Sequence, residues 1–415
     1  MTRKKKDAAE NDRNEDIFAA LKETLQKISP DLQVFYGKEV PEMDVTGRIP
    51  TPLTVLNVFL GGGIARGRIT EIYGGSGDGK TAFIFALQAI HQKMGGKILH
   101  WDLETSMNSG QAVKAGVDVT RGWLGCRATC IEDVFSGMDR AIVSMDSLKD
   151  DCPLLITWDS LAATPPRKAL EDEKYEDEST YYRARVISRC LNKFAAAMTR
   201  AKATVVIVNQ TRIKVEHNSY KARFQTEEDK VTPIGGKARE YAMTTCIQIT
   251  RKGSICHGEG GRKTKAGIRG HIYITKNREG IPFGKFPYRY YFSDLATGRE
   301  GFDDEESTLA YLQEVGVLED CKAVRKYKTK TGAIQERTVK ALRLKLEEDK
   351  YFTGFSLHEM AEKLRATPEV WKQVQEKVRI VALGLDLVGK PLYDEDDPQP
   401  GTDDLTIAEP GDEES

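Results

Sequence analysis

A glycine-rich stretch in the first quarter of the chain has the residue types and spacing that bind phosphate groups. It reads Gly74-Gly75-Ser76-Gly77-Asp78-Gly79-Lys80-Thr81 and fits the pattern G-x-x-x-x-G-K-[ST], between a predicted strand and a predicted helix. The glycines let backbone N–H groups point at phosphate oxygens, and the amino end of the helix adds positive potential. Lys80 is expected to reach the β- and γ-phosphates, and the Thr81 hydroxyl to bind Mg²⁺. The motif predicts an ATP and Mg²⁺ site; the flanking elements disfavour a glycine-rich turn without a ligand.

Two carboxylates follow other predicted strands and would share one edge of a parallel sheet. Asp159 ends the apolar run Leu154–Trp158 and is placed to hold Mg²⁺. Its alternative role, shared with Ser160, is to cap a following helix. Glu104 ends the strand after the phosphate-loop helix and is placed to act as a general base. Asp102 competes for that role because it points to the same face, and spacing alone leaves the choice open.

Strand and helix patterns alternate from about Thr46 to about Arg299 and predict an α/β domain with a largely parallel sheet. Two intervening stretches are predicted to be helical, Thr81–Met94 and Tyr181–Arg200. The predicted strands are Ile69–Tyr73, Ile98–Leu103, Leu154–Trp158, Val205–Val208, Cys246–Thr250 and His271–Thr275.

Smaller units flank this core. Asn14–Ile28 has a helical pattern and Leu32–Tyr36 reads as a strand, a pair that must pack on the core or on a neighbouring subunit. Towards the other end, Ser356–Glu359 is a capping-box pattern, and Thr367-Pro368 begins a helix that Gly384 can end. We therefore divide the chain into an N-terminal segment, a core, a C-terminal domain and an acidic tail, at residues 1–45, 46–300, 301–392 and 393–415.

The net charge of −1 hides an asymmetry. Residues 393–415 contain ten acidic residues and no basic residue, so the rest of the chain carries +9. This pattern is typical of a polyanion-binding protein whose tail competes for the same surface, and equally of a solubilising tail.

Composition excludes several protein classes. The seven cysteines form no C-x-x-C pair, and Cys256-His257 stands alone, so we expect reduced thiols and no zinc site. No apolar run is long enough to cross a bilayer, and the N-terminus lacks the apolar stretch of a secretory signal. We expect a protein that stays in the cytoplasm where it is made, without a membrane partner.

In their order along the chain, these motifs resemble the RecA/UvsX-type strand-exchange recombinases. The resemblance extends from about Arg48 to Phe302. It rests on Ile49–Thr51, Leu60–Ile64, Gly67–Gly74, Asp102–Glu104, Ala115–Asp118, Asp159–Ala163, Val208–Arg212, Gly235–Ala238 and Thr275–Arg278. Two departures are Gln111, where the family often has an adenine-stacking aromatic residue, and a longer Thr211–Ile234 segment.

The resemblance implies a RecA-like P-loop ATPase core with a mostly parallel twisted sheet, a small N-terminal oligomerisation segment and a small C-terminal α+β domain. It implies that Glu104 is the catalytic carboxylate, together with Lys80, and that Gln210 senses the γ-phosphate. Lys276 and Arg278 would cap ATP bound to the next subunit of a helical filament; without the resemblance both read as surface charges beside a strand. The implied activity is homologous pairing and strand exchange between single-stranded DNA and duplex DNA. It also implies single-strand binding and mediator proteins as partners, and the cytoplasm of a bacterium or a phage-infected host as the location.

Two loops at the ATP-binding edge are candidate DNA contacts. Thr164–Thr180 follows Asp159, and Thr211–Ile234 follows Gln210. Cations interleaved with aromatic residues suit single strands, because they neutralise phosphates and stack bases. The residues assigned to DNA binding are Arg185, Arg212, Lys214, Lys221, Arg223, Phe224, Gly235 and Gly236.

A further basic stretch, Lys322–Lys345, is read either as a guide for duplex DNA or as a solvated hairpin face. Three other functions remain open: a hexameric helicase with a related core, a small-molecule kinase, and a DNA-annealing protein that needs no hydrolysis. Glu104 disfavours a simple kinase.

Overall fold

The computed structural model describes Thr24, Lys27 and residues 47–104, 109–147, 153–171, 180–198, 203–213, 231–257, 264–294, 298–328, 334–347 and 350–384. The predicted helix Asn14–Ile28 (apart from Thr24 and Lys27), the predicted strand Leu32–Tyr36 and the tail 393–415 lie outside these residues.

A ten-stranded sheet forms the centre of the described structure. A small two-stranded sheet, β1 (Arg48–Ile49) with β2 (Ile64–Ala65), precedes it. The strands of the large sheet are β3 (Ile69–Gly74), β4 (Lys97–Asp102), β5 (Trp123–Cys126), β6 (Leu154–Asp159), β7 (Ala203–Ile213), β8 (Val231–Pro233), β9 (Thr245–His257), β10 (Thr264–Asn277), β11 (Lys285–Asp294) and β12 (Arg299–Phe302).

The strand order is β12-β11-β10-β9-β3-β7-β6-β4-β5, with β8 paired to β7. The part from β9 to β5 is parallel, and β9 to β12 pair antiparallel. The predicted parallel α/β sheet is therefore confirmed, and β10 to β12 extend it. Cys246–Thr250 and His271–Thr275, predicted as short strands, lie at the open end of one long antiparallel hairpin.

Helices cover the sheet. Those of the core are α1 (Thr54–Phe59), α2 (Lys80–Lys93), α3 (Ser109–Lys114), α4 (Ile131–Ser147), α5 (Arg167–Glu171), α6 (Thr180–Met198) and α7 (Gly236–Ala242). The strands β3 and β6 are buried along their whole length, as expected where helices cover both faces of a parallel sheet. Each fully buried residue such as Ile72 or Phe83 contributes roughly 1.5–3 kcal/mol.

A smaller unit follows β12. It combines α8 (Asp304–Glu314), α9 (Leu357–Ala366) and α10 (Pro368–Ala382) with a three-stranded antiparallel sheet of β13 (Leu318–Lys328), β14 (Ile334–Glu347) and β15 (Lys350–Gly354). The capping box is present: the Glu359 N–H donates to Ser356 Oγ over 3.1 Å. Asp304 joins this unit to the core, because its carboxylate accepts from the Thr54 N–H over 2.6 Å at the start of α1.

None of the helices in the described part of the chain is both long and apolar enough to span a membrane.

Candidate nucleotide and DNA site

The glycine-rich loop lies between β3 and α2, where the sequence predicts it. Gly77 and Gly79 adopt φ angles of 73° and 95°, which only glycine adopts without strain. The Lys80 ammonium curls over the loop and donates to the carbonyl oxygens of Gly74 and Gly75, over 3.1 and 2.6 Å. Burial lowers the pKa of Lys80, while the nearby carboxylates of Asp78, Asp159 and Glu104 oppose that shift. The loop is therefore a concave set of backbone donors with a cation beside it, which suits a polyphosphate.

Neighbouring strands hold this loop in place. A Cβ on Gly74 would lie 2.2 Å from the Ile249 carbonyl oxygen, so the approach of β9 requires glycine there. The Gly75 N–H donates to the Asp78 carboxylate over 2.7 Å, and the Tyr288 hydroxyl donates to the Asp78 carbonyl oxygen over 2.7 Å. The loop is thus fixed both by its own side chain and by β11.

Thr81 and Asp159 form the metal side of the site. The Thr81 hydroxyl donates to Asp159 Oδ2 over 2.6 Å. Burial raises the pKa of Asp159 to about 6, although the hydrogen bond from Thr81 acts in the opposite direction. A turn rather than a helix follows Asp159, so the alternative role as a helix cap has no helix to cap. One hydroxyl and one carboxylate suit Mg²⁺, which keeps several waters and binds substrate phosphates.

Glu104 faces the same space. Its Oε1 accepts hydrogen bonds from Ser160 Oγ over 2.7 Å and from Gln210 Nε2 over 2.8 Å. Ser160 directly follows β6. Gln210 belongs to the adjacent strand β7, where it lies opposite Gly74 of β3. Asp102, the competitor, lies 3.8 Å from an Arg127 nitrogen and does not line the cavity. Of the two carboxylates, Glu104 therefore faces the cavity and Asp102 does not, and the role of Glu104 as the general base stays a prediction.

These groups line one cavity of about 650 Å³. Gln111 and Lys114 of α3 also line it. Its opposite wall is aromatic and comes from β11 and β12, with Tyr290 and Phe302 rings 4.9 Å apart and Phe292 beside them. No motif singled out this wall; the dense aromatic residues of Phe286–Phe292 were the available signal.

Comparison with known proteins agrees with this arrangement. A family model for the RecA N-terminal domain matches residues 19–294, well over half of the chain. The chain belongs to the RecA family. The chain is 28% identical to Protein RecA of Bifidobacterium longum over 325 residues, 76% of this chain and 75% of that protein. It is 29% identical to Protein RecA of Sulfurimonas denitrificans over 313 residues (75% and 81%) and to that of Streptomyces coelicolor over 270 residues (65% and 67%).

Membership of the RecA family makes the chain a recombination protein that forms filaments and exchanges DNA strands.

Lys276 and Arg278 lie at the other edge of the RecA-type core. Asn277 pairs with Thr245 at the start of β9, and Thr245 pairs with Thr70 of β3. This level is four residues, roughly 13 Å, below Gly74 along β3. Neither cation lines the cavity. The structure does not bring them to the chain's own phosphate loop.

The DNA-binding residues predicted from the sequence fall into two groups. Arg185 is exposed on α6, Arg212 is exposed near the end of β7, and Gly235 and Gly236 begin α7 with φ angles of 113° and 74°. The glycines lie against α6, where added Cβ atoms would meet Ile187 and Ala184 at 3.2 Å. The helices that follow the two loops, α6 and α7, therefore pack on each other at this point. Lys214, Lys221, Arg223 and Phe224 lie outside the described residues.

Four further cations were missed by sequence reasoning. Arg251 and Lys252 continue β9 past the residue that pairs with Gly74, and Lys265 and Arg269 lie on the partner strand β10. All four are exposed. A signal existed in the sequence, since cations recur through both strands, but only the pairing of β9 with β10 shows that they share one hairpin.

The basic stretch Lys322–Lys345 forms the hairpin of β13 and β14, and several of its cations are paired with acids. Lys326 lies 2.8 Å from Glu336, and Lys340 lies 3.3 Å from Asp320. Arg343 similarly contacts Glu319. These exposed pairs are worth little energetically but reduce the net field of the hairpin. Its role as a DNA guide stays a prediction.

Proposed function

We propose that the chain is a DNA-dependent ATPase that binds ATP and Mg²⁺ at each subunit boundary of a filament on single-stranded DNA, and that hydrolysis resets the boundary after strand exchange. One observation carries this proposal. The phosphate loop, the Thr81–Asp159 pair and the Glu104–Gln210 contact share one sheet edge, from which the second candidate DNA loop also departs.

Each residue at this edge has a distinct role. The loop from Gly74 to Thr81 cradles the phosphates, and Lys80 leaves its carbonyl contacts to neutralise them. Thr81 and Asp159 are the side chains that would hold Mg²⁺, which supplies charge neutralisation on the phosphate oxygens. Glu104 accepts a proton from the attacking water, and its hydrogen bonds from Ser160 and Gln210 orient it beforehand.

Gln210 couples the two ligands. Its amide is held by Glu104 in the structure, and a γ-phosphate in the cavity offers it a competing acceptor with more charge. Gln210 is followed directly by the strand that leads to Arg212 and to the segment of Lys214, Lys221, Arg223 and Phe224. The nucleotide state thereby changes the affinity for DNA. Arg185, Gly235 and Gly236 form the other side of the DNA-binding surface.

Lys276 and Arg278 act on the ATP of the neighbouring subunit. Their position at the edge opposite the phosphate loop supports head-to-tail stacking, which builds open helical filaments. Arg251, Lys252, Lys265 and Arg269 add a second cationic surface near the phosphate-loop edge, suited to the backbone of the incoming duplex. The division at residues 45, 300 and 392, and contacts with single-strand binding or mediator proteins, belong to the same proposal.

Three measurements test the function. ATP turnover should rise when single-stranded DNA is added, and electron microscopy with a non-hydrolysable ATP analogue should show helical filaments. Binding should weaken steeply with salt, with a log–log slope near −0.7 per phosphate contacted. Closed rings would favour a helicase. DNA binding and annealing without hydrolysis would favour an annealing protein.

A further inference from the structure

We propose that Asn209 is a positioning residue that joins the phosphate sensor Gln210 to the closing end of the second DNA loop, and that the buried pair of Glu71 and Arg239 is its anchor. This inference rests on the proposed function, because it explains how the state of the nucleotide site reaches the DNA loop.

The contacts of Asn209 connect three elements. Its Oδ1 accepts from the Gln210 backbone N–H over 2.9 Å. Its amide nitrogen donates to the Ile234 carbonyl oxygen over 2.7 Å and to Glu71 Oε1 over 2.9 Å. The Ile234 N–H in turn donates to the Gln210 carbonyl oxygen over 3.2 Å. The residue that closes the loop is therefore held from both sides by the sensor and its neighbour.

Arg239 extends this connection into α7. Its guanidinium pairs with the second carboxylate oxygen of Glu71, which belongs to the phosphate-loop strand β3. Glu71 and Asn209 are completely buried, and Arg239 is nearly so. The start of α7, Gly235-Gly236, lies between Ile234 and Arg239 in sequence, so both ends of this turn are tied to the same cluster. We call Glu71, Asn209, Ile234 and Arg239 the loop anchor.

Stability alone is a poor reason for such a cluster. A buried ion pair loses the hydration of both charges, and well-packed apolar residues of similar size often serve as well or better. Buried polar groups can instead define one arrangement among several, because each hydrogen bond lost in the low-dielectric interior is costly. Such an arrangement matters at the loop anchor, because it joins the neighbouring strands β3 and β7 to the residue where the second DNA loop ends, Ile234.

The proposed motion starts at Gln210. When its side chain exchanges Glu104 for the γ-phosphate, the backbone at Gln210 shifts, and the two hydrogen bonds to Ile234 carry that shift to the end of the loop. Glu71 and Arg239 keep Asn209 from absorbing the change by rotating its own side chain. Nucleotide binding is then transmitted to DNA affinity as a coupling free energy.

A second buried polar cluster provides a matched control. The Gln88 amide donates to the Thr157 hydroxyl over 2.8 Å, and His100 Nδ1 lies 2.8 Å from the same hydroxyl. All three are buried, in the middle of β4, β6 and α2, away from both candidate DNA loops. Thr157→Val removes one buried hydrogen-bonding group, as Asn209→Val does, without touching the loop anchor.

The experiment compares single-strand affinity with and without a non-hydrolysable ATP analogue in the full-length protein. Wild type and Thr157→Val should show the same ratio, expected in the range of about 5- to 150-fold. Asn209→Val should bring the ratio close to one and reduce the stimulation of kcat by DNA. Its KM for ATP should stay near that of wild type, because no atom of Asn209 lines the nucleotide cavity.

The Glu71→Met/Arg239→Met double variant repeats the test with the charges replaced by apolar volume, and it decides the matter if Asn209→Val does not fold. A structural role predicts that the double variant keeps the full ratio, which would overturn the inference. A rise in KM for ATP with an unchanged ratio would also overturn it. If wild type itself shows a ratio of one, the result contradicts the proposed function. If wild type shows coupling and both variants keep it, the result contradicts only the role of the loop anchor.

Discussion

The two edges of the parallel sheet differ in the charged and apolar groups that they carry. At the carboxyl edge, backbone donors of the phosphate loop surround an acidic pair, Glu104 and Asp159, inside a cavity. At the amino edge, Lys276 and Arg278 lie at the end of β10, and the turn that leads to β11 contains Phe283, which is 80% exposed. Tyr241 of α7, next to the Glu240 carbonyl oxygen that accepts from Lys276, is 73% exposed. At the carboxyl edge, cations that include Lys80 and Lys114 line the cavity with the acidic pair, whereas the amino edge presents cations and apolar rings to solvent.

Under the proposed function, the two edges are halves of one site. A single chain separates them by about 13 Å along β3 alone, so its own cations do not close its own cavity. Stacking identical chains head to tail places one edge against the other and repeats without closing. The exposed rings of Phe283 and Tyr241 suit such a contact better than they suit solvent. The predictions below test each edge and then the fit between them.

The largest effect is expected at the carboxyl edge. Glu104→Gln keeps the shape of the side chain but removes the proton acceptor, so kcat for ATP should fall by about 10²- to 10⁴-fold while DNA binding with ATP persists. Asp102→Asn is the matched control, because Asp102 is buried at the end of the same strand and does not line the cavity. Steady-state ATPase assays on single-stranded DNA make the comparison. A larger loss for Asp102→Asn would reverse the assignment.

The amino edge should come next. In the Lys276→Ala/Arg278→Ala variant, DNA-stimulated turnover should fall by about 10²- to 10³-fold, the usual effect of removing charge-stabilising donors from a reacting group. Binding of ATP to the isolated monomer should be unchanged, because the cations are remote from its own cavity. Weaker ATP binding by the monomer would place both cations in the chain's own site.

Mixing the two variants tests whether the edges meet. Glu104→Gln supplies an intact amino edge and Lys276→Ala/Arg278→Ala supplies an intact carboxyl edge, so random head-to-tail assembly restores about one boundary in four. Turnover of the mixture should exceed that of either variant alone and approach a quarter of the wild-type rate. A mixture no more active than its components would argue against a shared site.

Although their roles stay predictions, the side chains that share the carboxyl edge were predicted from the sequence, and the structure brings them there. The reason is locality: Lys80, Glu104, Asp159 and Gln210 each follow an apolar strand, and parallel strands bring their carboxyl ends to one edge by topology. Spacing alone did not choose between Glu104 and Asp102, because both alternate to the same face. The family resemblance assigned Glu104, and the hydrogen bonds from Ser160 and Gln210 distinguish its surroundings from those of Asp102.

Features built from antiparallel pairing were not predicted. The aromatic wall of the cavity depends on β11 and β12 folding back beside the phosphate loop, and the hairpin cations depend on the register of β9 with β10. Arg239 gave no signal either, because its partner Glu71 is far away in sequence and an apolar strand does not predict a buried acid. Nonlocal pairing, rather than residue type, was the missing information.

We expect the contact between the two edges of neighbouring subunits to include Phe283, whose φ angle of 60° is unfavourable for an aromatic residue. Phe283→Gly removes this cost and adds backbone entropy to the unfolded chain, so the free energy of unfolding of the monomer should change by less than about 1 kcal/mol. Filament assembly should weaken by about 10- to 150-fold in critical concentration, since a buried aromatic ring is worth about 1.5–3 kcal/mol. Light scattering on DNA measures this. Val324→Ala, at an exposed apolar residue of the C-terminal hairpin, is the control; equal effects of both changes would remove Phe283 from the interface.

The smallest effect is a shift with pH. Burial lowers the pKa of Lys276, and the neighbouring Arg278 lowers it further. A lysine with a lowered pKa loses its charge earlier as pH rises, so ATP-dependent assembly should decline on the alkaline side before an ordinary lysine would titrate. Lys276→Arg keeps its charge throughout this range and should extend assembly to higher pH, provided that the longer side chain still reaches the Glu240 carbonyl oxygen that accepts from Lys276. Assembly followed by light scattering from neutral to alkaline pH makes the measurement. Identical profiles for the two proteins would mean that the charge of Lys276 is not needed at the boundary, leaving Arg278 as the cation that joins one edge to the other.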